Sequence, residues 1–286
     1  MHRTAIAAAL LVGTALACGG AATHISTVPL QAAAQQADDF KWTGRIAEGK
    51  SLEIRGINGG IRAELAPDRQ AEVVAHKTAR RGDVDAVKIV VDERDGNVRV
   101  CAVYPRSGWG SSRRWRDRDS DDSTDACEGR RERRAWSRDN DVKVEFTVRV
   151  PDNVRFVGRT VNGAVHVTSV KSDVEAFTVN GGIRLSTSGS ASARTVNGSI
   201  DASIGSGSNA KHLEFRTVNG SVSLALPSNF GADLRASTLN GGVTSGLPLT
   251  LRTTGHRGRR VTGTIGSGGR DLEIGTVNGS IDLRTH

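Results

Sequence analysis

A four-residue phrase, Thr-Val-Asn-Gly, recurs along this chain and sets the terms for everything else. It stands at Thr160–Gly163, Thr178–Gly181, Thr195–Gly198, Thr217–Gly220 and Thr276–Gly279. Looser copies are Gly56-Ile57-Asn58-Gly59, Thr238-Leu239-Asn240-Gly241 and Val261-Thr262-Gly263. From Asn162 onward the steps are 18, 17, 22, 21, 22 and 16 residues. A period near twenty signals a stack of one supersecondary unit repeated, so shape outranks any single-residue motif.

Aligned on the Asn, the copies share an apolar template. Leu213, Phe215, Val218, Val222 and Leu224 repeat as Leu272, Ile274, Val277, Ile281 and Leu283, and earlier as Leu52, Ile54, Ile57, Ile61 and Ala63. Each unit therefore reads as two short strands around a bend. Asn-Gly is also a strong hairpin signal, because a type I′ turn needs positive φ at both central residues. In such a hairpin, however, Val161 would pair with Ala164 and leave Val165 and Val167 on the opposite face. A solenoid corner that turns the Val back inward removes the conflict. The fold expected is all-β: a parallel β-solenoid of about 20-residue repeats behind a β-rich N-terminal cap. Stacked coils would set Asn162, Asn180, Asn197, Asn219, Asn240 and Asn278 in a ladder of structural Asn-Gly corners, with strands about 4.8 Å apart.

Composition agrees. With 34 glycines, 6 prolines and 4% aromatic residues, the chain suits a narrow β core with many corners. The N-terminus reads as an export signal over 1–17: Met1-His2-Arg3, an apolar run from Ala5 to Leu16, and Ala15-Leu16-Ala17 as the cleavage site. Cys18 follows directly in a lipobox-like setting that lacks the usual leading Leu. Lipidation of Cys18 and plain cleavage, here or near Ala32-Ala33-Ala34, both stay open. Residues 18–39 read as a flexible tether, 40–150 as the β-rich region with a charged insertion over 106–140, and 151–286 as the TVNG solenoid. The clearest strand is Val142 to Val150, and Asp95-Gly96-Asn97 marks a hairpin.

The insertion holds three of the four tryptophans in a run of Arg and Asp. Trp109, Arg113, Arg114, Trp115, Arg116 and Trp136 are the candidate binding residues, since exposed Trp among Arg can stack on sugars. With Cys18 removed or lipidated, Cys101 and Cys127 remain as a pair, expected to form a disulfide in an oxidising compartment. Asp117, Asp119, Asp121, Asp125 and Glu128 have the spacing of a calcium loop, but Asp122 stands where that loop needs Gly. The run reads as an internally neutralised loop. No catalytic residue, cofactor or metal-ligand set is expected.

The TVNG copies, Cys101-Ala102-Val103-Tyr104-Pro105 and the run Asp141 to Pro151 leading into Arg159–Gly163 together resemble a family of exported bacterial adhesin-like proteins built from β-strand repeats, a domain of unknown function. The resemblance spans about Phe40 to His286 and implies a β-helical stack and a location in the periplasm, outer membrane or cell surface. The function expected is a non-enzymatic, adhesin-like binding or scaffold module of the cell envelope. A polysaccharide-processing enzyme on a β-helix scaffold is the alternative. The formal charge of +8 favours envelope polysaccharide or another polyanionic surface as partner, beside an envelope protein. Export argues against nucleic acid, and membrane attachment would come only through a lipid anchor.

Overall fold

A computed structural model describes residues 36–105, 127, 141–205, 211–253 and 259–285. Residues 1–17, expected to be an export signal, and Cys18, together with the tryptophans and arginines of the expected insertion, lie outside the described residues.

The first part of the chain forms β1 (Gln36–Gly44), β2 (Ser51–Arg55), β3 (Ile61–Leu65), β4 (Ala71–Ala79), β5 (Lys88–Arg94), β6 (Asn97–Val103) and β7 (Lys143–Val150). Short strands then alternate as β8 (Arg155–Arg159), β9 (Val165–Val170), β10 (Val174–Phe177), β11 (Ile183–Thr187), β12 (Ala191–Arg194) and β13 (Ile200–Ile204). They continue as β14 (His212–Arg216), β15 (Val222–Leu226), β16 (Ala232–Asn240) and β17 (Val243–Ser245). The chain ends with β18 (Leu249–Thr253), β19 (Arg259–Ile265), β20 (Asp271–Asn278) and β21 (Ile281–Thr285).

These strands make two large mixed sheets. The first runs β1-β4-β7-β3-β9-β11-β13-β15-β21-β17, and the second β5-β6-β2-β8-β10-β12-β14-β20-β16-β19-β18. Each coil gives one strand to the second sheet, turns a corner and gives the next strand to the first. Eight coils stack in the order β6/β7, β2/β3, β8/β9, β10/β11, β12/β13, β14/β15, β20/β21, β16/β17, with neighbouring coils parallel. The fold is thus an all-β solenoid, not a closed barrel. Beyond the outermost coils the pairing turns antiparallel: β4 and β1 at one end, with β5, and β19 and β18 at the other. Antiparallel strands need only short connections, so they can close a parallel stack without adding a coil.

The core lies between the sheets. In every coil alternate residues point inward, as in Leu213 and Phe215 on β14 and Val222, Leu224 and Leu226 on β15, all fully buried. Phe146, Phe156 and Phe215 are its largest side chains. At the N-terminal end the buried Lys77 also points inward from β4 and donates to the carbonyls of Val84 and Val87 at 3.4 Å each. This supplies the partners that a buried ammonium needs.

The structure corrects the sequence reading at five places. First, residues 40–150 do more than cap: β2/β3 stacks directly against β8/β9 and β6/β7 lies beyond it, so position 150 marks no change of architecture. The apolar template at Leu52–Ala63 meets the same demands as the later copies. Second, β1 starts at Gln36, inside the stretch read as tether. Third, Thr262 is no corner; it lies within β19, paired antiparallel with β16.

Fourth, coils stacked in chain order would leave the last unit as a free edge, and it is not one. β20 lies between β14 and β16, and β21 between β15 and β17. Fifth, the Val of TVNG points outward. Val218 and Val277 are 39% and 37% exposed and Leu239 58%, while the preceding Thr217, Thr276 and Thr238 are buried. Strand alternation carries through the Thr, so the next residue must face solvent. The two consecutive positive φ of a type I′ turn are found at the β5–β6 hairpin, where Asp95 and Gly96 have φ of 52° and 77°.

Candidate functional site

The corner explains the phrase. Each Thr hydroxyl donates to the Gly carbonyl of a neighbouring coil: Thr178 Oγ1 to Gly163 O at 2.8 Å, Thr195 to Gly181 at 2.9 Å, Thr217 to Gly198 at 2.8 Å. The same bond joins Thr160 to Gly59, Thr276 to Gly220 and Thr238 to Gly279. At Gly163, Gly181, Gly198 and Gly220 the Gly is required by close approach rather than by a left-handed φ, whereas Gly59 also has a φ of 124°. A Cβ on Gly181 would lie 2.1 Å from Gly163 O, and on Gly198 2.1 Å from Gly181 O.

The Asn side chains form one unbroken series of amide–amide bonds. Asn162 Nδ2 donates to Asn58 Oδ1 at 2.9 Å, Asn180 to Asn162 at 2.8 Å, Asn197 to Asn180 at 2.9 Å and Asn219 to Asn197 at 2.8 Å. Asn278 then donates to Asn219 at 2.8 Å, and Asn240 to Asn278 at 2.7 Å. The series therefore has Asn278 before Asn240 and begins at Asn58. The GING copy carried enough signal for Asn58; the swap of the last two rungs left none.

Beside this ladder runs an outward column of aliphatics, Ile57, Val161, Val179, Val196, Val218, Val277 and Leu239. At the Asn58 end of the ladder lies the coil β6/β7, and the described residues that follow β6 and precede β7 are well tied. Cys101 and Cys127 are joined in a disulfide, and Arg55 Nη1 donates to Cys127 O at 3.2 Å. The Tyr104 hydroxyl lies 3.2 Å from the carbonyls of both Asn58 and Val142, and burial pushes its pKa up to about 12. Trp109, Arg113, Arg114, Trp115, Arg116 and Trp136, the binding residues expected from sequence, lie outside the described residues, as does the acidic run from Asp117 to Asp125.

The outer face of the second sheet carries acids and arginines in adjoining columns. Glu53 accepts from Arg55 at 2.6 Å and Arg99 at 2.8 Å, with Arg159 at 3.4 Å. Burial works to raise the Glu53 pKa, but the Arg55 and Arg99 guanidiniums outweigh it and hold the carboxyl below the usual range. Glu214, nearly buried, meets Arg194 at 2.5 Å and Arg216 at 2.7 Å, and Arg216 reaches Glu273 at 2.6 Å. The hydrogen bond to Glu214 raises the Arg194 pKa further. Between Glu175 and Glu214, the small side chains of Val157 and Ser192 leave a hollow of about 270 Å³ beside the half-exposed Phe177.

The outer face of the first sheet has a different column. In register across the coils stand Thr147, Arg62, His166, Arg184, Asp201, Ser223, Asp282 and Thr244. Asp201 and Asp282, aligned in the sequence, stand two rungs apart with Ser223 between them. A hollow of about 450 Å³ opens where Gly60, Gly163 and Ala164 provide almost no side chain, rimmed by Arg62, His166, Lys143 and Glu145. Among the described residues no group of three or more His, Cys, Asp or Glu is placed to hold a metal ion.

No protein of curated function matches the sequence. In shape, the chain is similar to a "putative cell adhesion protein" from Clostridium sporogenes, with a TM-score of 0.49, 10% identity, and coverage of 88% of this chain and 100% of that one. It is also similar to a "putative adhesin" from Bacteroides fragilis, with a TM-score of 0.34, 11% identity, and coverage of 86% and 97%. The model of the Toastrack DUF4097 family, a domain of unknown function, matches residues 138–284, from just before β7 into β21 and over half of the sequence. This chain belongs to the Toastrack DUF4097 family.

Proposed function

We propose that the protein is an exported, non-enzymatic, adhesin-like module of the bacterial envelope that binds an acidic polymer across the flat outer faces of its coils. The observation that carries this reading is the fate of the surface carboxylates. A glycosidase needs two carboxyl groups free to donate and accept protons at the scissile bond. The acids flanking the hollow on the second sheet are Glu175 and Glu214, and each is already held by two arginines. What the faces offer instead is a regular array of guanidinium, amide and aliphatic groups repeated at the strand spacing, about 4.8 Å. Such an array suits an extended ligand that makes many similar weak contacts. The charge of +8 supports an anionic partner. Export rests on the charged start and apolar run of residues 1–17.

The test is retention of the purified protein on isolated envelope polysaccharide across a salt series, with release of new sugar ends measured in parallel. Retention that weakens with salt, without release, is expected. Release of sugar ends would turn the reading to polysaccharide processing, and neither effect would turn it to a scaffold for another protein.

A further inference from the structure

Among the described residues, the acids on the outer faces of the two sheets lie mostly against arginines, and one basic stretch differs. On the second sheet, Glu53, Glu175, Glu214 and Glu273 each lie against at least one arginine. On the first sheet, Arg184 faces Asp201 at 3.6 Å, and Arg284 reaches Asp282 at 3.2 Å and Asp201 at 3.9 Å. Further along that column the order is Arg62, His166, Arg184, on three adjacent parallel strands. No acid is interleaved.

The acids nearest to this run are committed elsewhere. Glu64 pairs with Arg149 at 3.4 Å. Glu145 pairs with Lys143 and accepts from the Gly60 amide at 3.0 Å. Neither Arg62 nor His166 has an ion-pair or hydrogen-bond partner among the described residues. Arg62 is exposed and His166 half-buried. No carboxylate stands beside Arg62 or His166 in the column, so ion pairing along the ladder does not account for this placement. The hollow beside the run has a floor of Gly60, Gly163 and Ala164, which lets a ligand approach the backbone, while Arg62, His166 and the ion-paired Lys143 and Glu145 rim it.

We infer that Arg62, His166 and Arg184 form a site for the oxyanion groups, carboxylate or sulfate, of an extended acidic polysaccharide laid across the first sheet. This deepens the reading of the protein as a polyanion-binding module and rests on it. The planar guanidinium of Arg62 can donate to two oxygens of one group. Arg184, two strands further on, keeps donors beyond those used by Asp201.

The site is tested by retention of the full chain on immobilised polygalacturonate and dextran sulfate, with neutral dextran as control, over a salt series. The R62Q and R149Q variants are compared, and Tm is recorded for each. The wild type is expected to bind the acidic polymers and not dextran. The stronger of the two acidic supports identifies the group recognised. R62Q should bind about 3–10-fold more weakly and show a log–log salt slope smaller by about one. R149Q should bind as the wild type does. Tm of R62Q should stay level, since no ion pair along the column is lost.

Retention of R62Q equal to wild type overturns the site but leaves the polyanion reading standing. No retention of the wild type on either acidic polymer overturns both. A lower Tm for R62Q would show that the guanidinium is neutralised from within the chain, and would overturn the assignment as well.

Discussion

Each letter of Thr-Val-Asn-Gly meets a separate physical demand. The Thr hydroxyl satisfies a corner carbonyl that the sheet ladders leave unpaired, as Thr178 does for Gly163 O. The Gly is there because the next coil's carbonyl would lie about 2 Å from any Cβ. The Asn carries an amide that donates to one coil and accepts from the other. Asn180 makes both bonds, whereas Asn240, at the end of the series, makes one. Asn180→Ala should therefore cost about 1–2 kcal/mol in denaturant unfolding, at about 1 kcal/mol for each amide bond. Asn240→Ala should cost about half as much. Equal costs at the two positions would mean that the ladder contributes nothing as a connected series.

Between elements, charge ties strands that the backbone already pairs. Glu53 on β2 holds Arg99 of β6, Arg159 of β8 and its own strand's Arg55, so one carboxylate joins three adjacent strands. Its folded pKa is lowered, so its stabilisation is full above the ordinary glutamate value of about 4.3 and is lost as pH falls through the lower folded value. Glu53→Gln should lower stability at pH 7 by about 1–2 kcal/mol, less than for a fully buried pair because the guanidiniums remain partly in water. The variant should also show a flatter fall in stability between about pH 5 and pH 3. Parallel acid limbs for wild type and E53Q would remove Glu53 from this role.

At the scale of the molecule, coils are not stacked in chain order. β6/β7 lies outside β2/β3, and β20/β21 is inserted between β14/β15 and β16/β17. The β16–β19 cap thus meets the main stack only through the last unit. Deleting residues 271–286 should strip hydrogen-exchange protection from 232–240 and 259–265 while β8 to β13 keep theirs, because each coil is stabilised by its direct neighbours. Retained protection in β16 would mean that the cap can settle directly onto β14, whose template it shares.

By itself, the sequence determined the all-β coil and the existence of an Asn ladder. Those follow from local period and from residue types with few other uses. Tertiary structure alone decided the order of the coils, the inward Thr and outward Val, and the uncompensated pairing of Arg62 with His166. The physical reason is that every unit carries the same apolar template. Pairing energy therefore hardly separates one neighbour from another, and connection lengths and the antiparallel caps make the choice. Arg62 and His166 lie 104 residues apart in the chain and meet only because β3 and β9 pair in register.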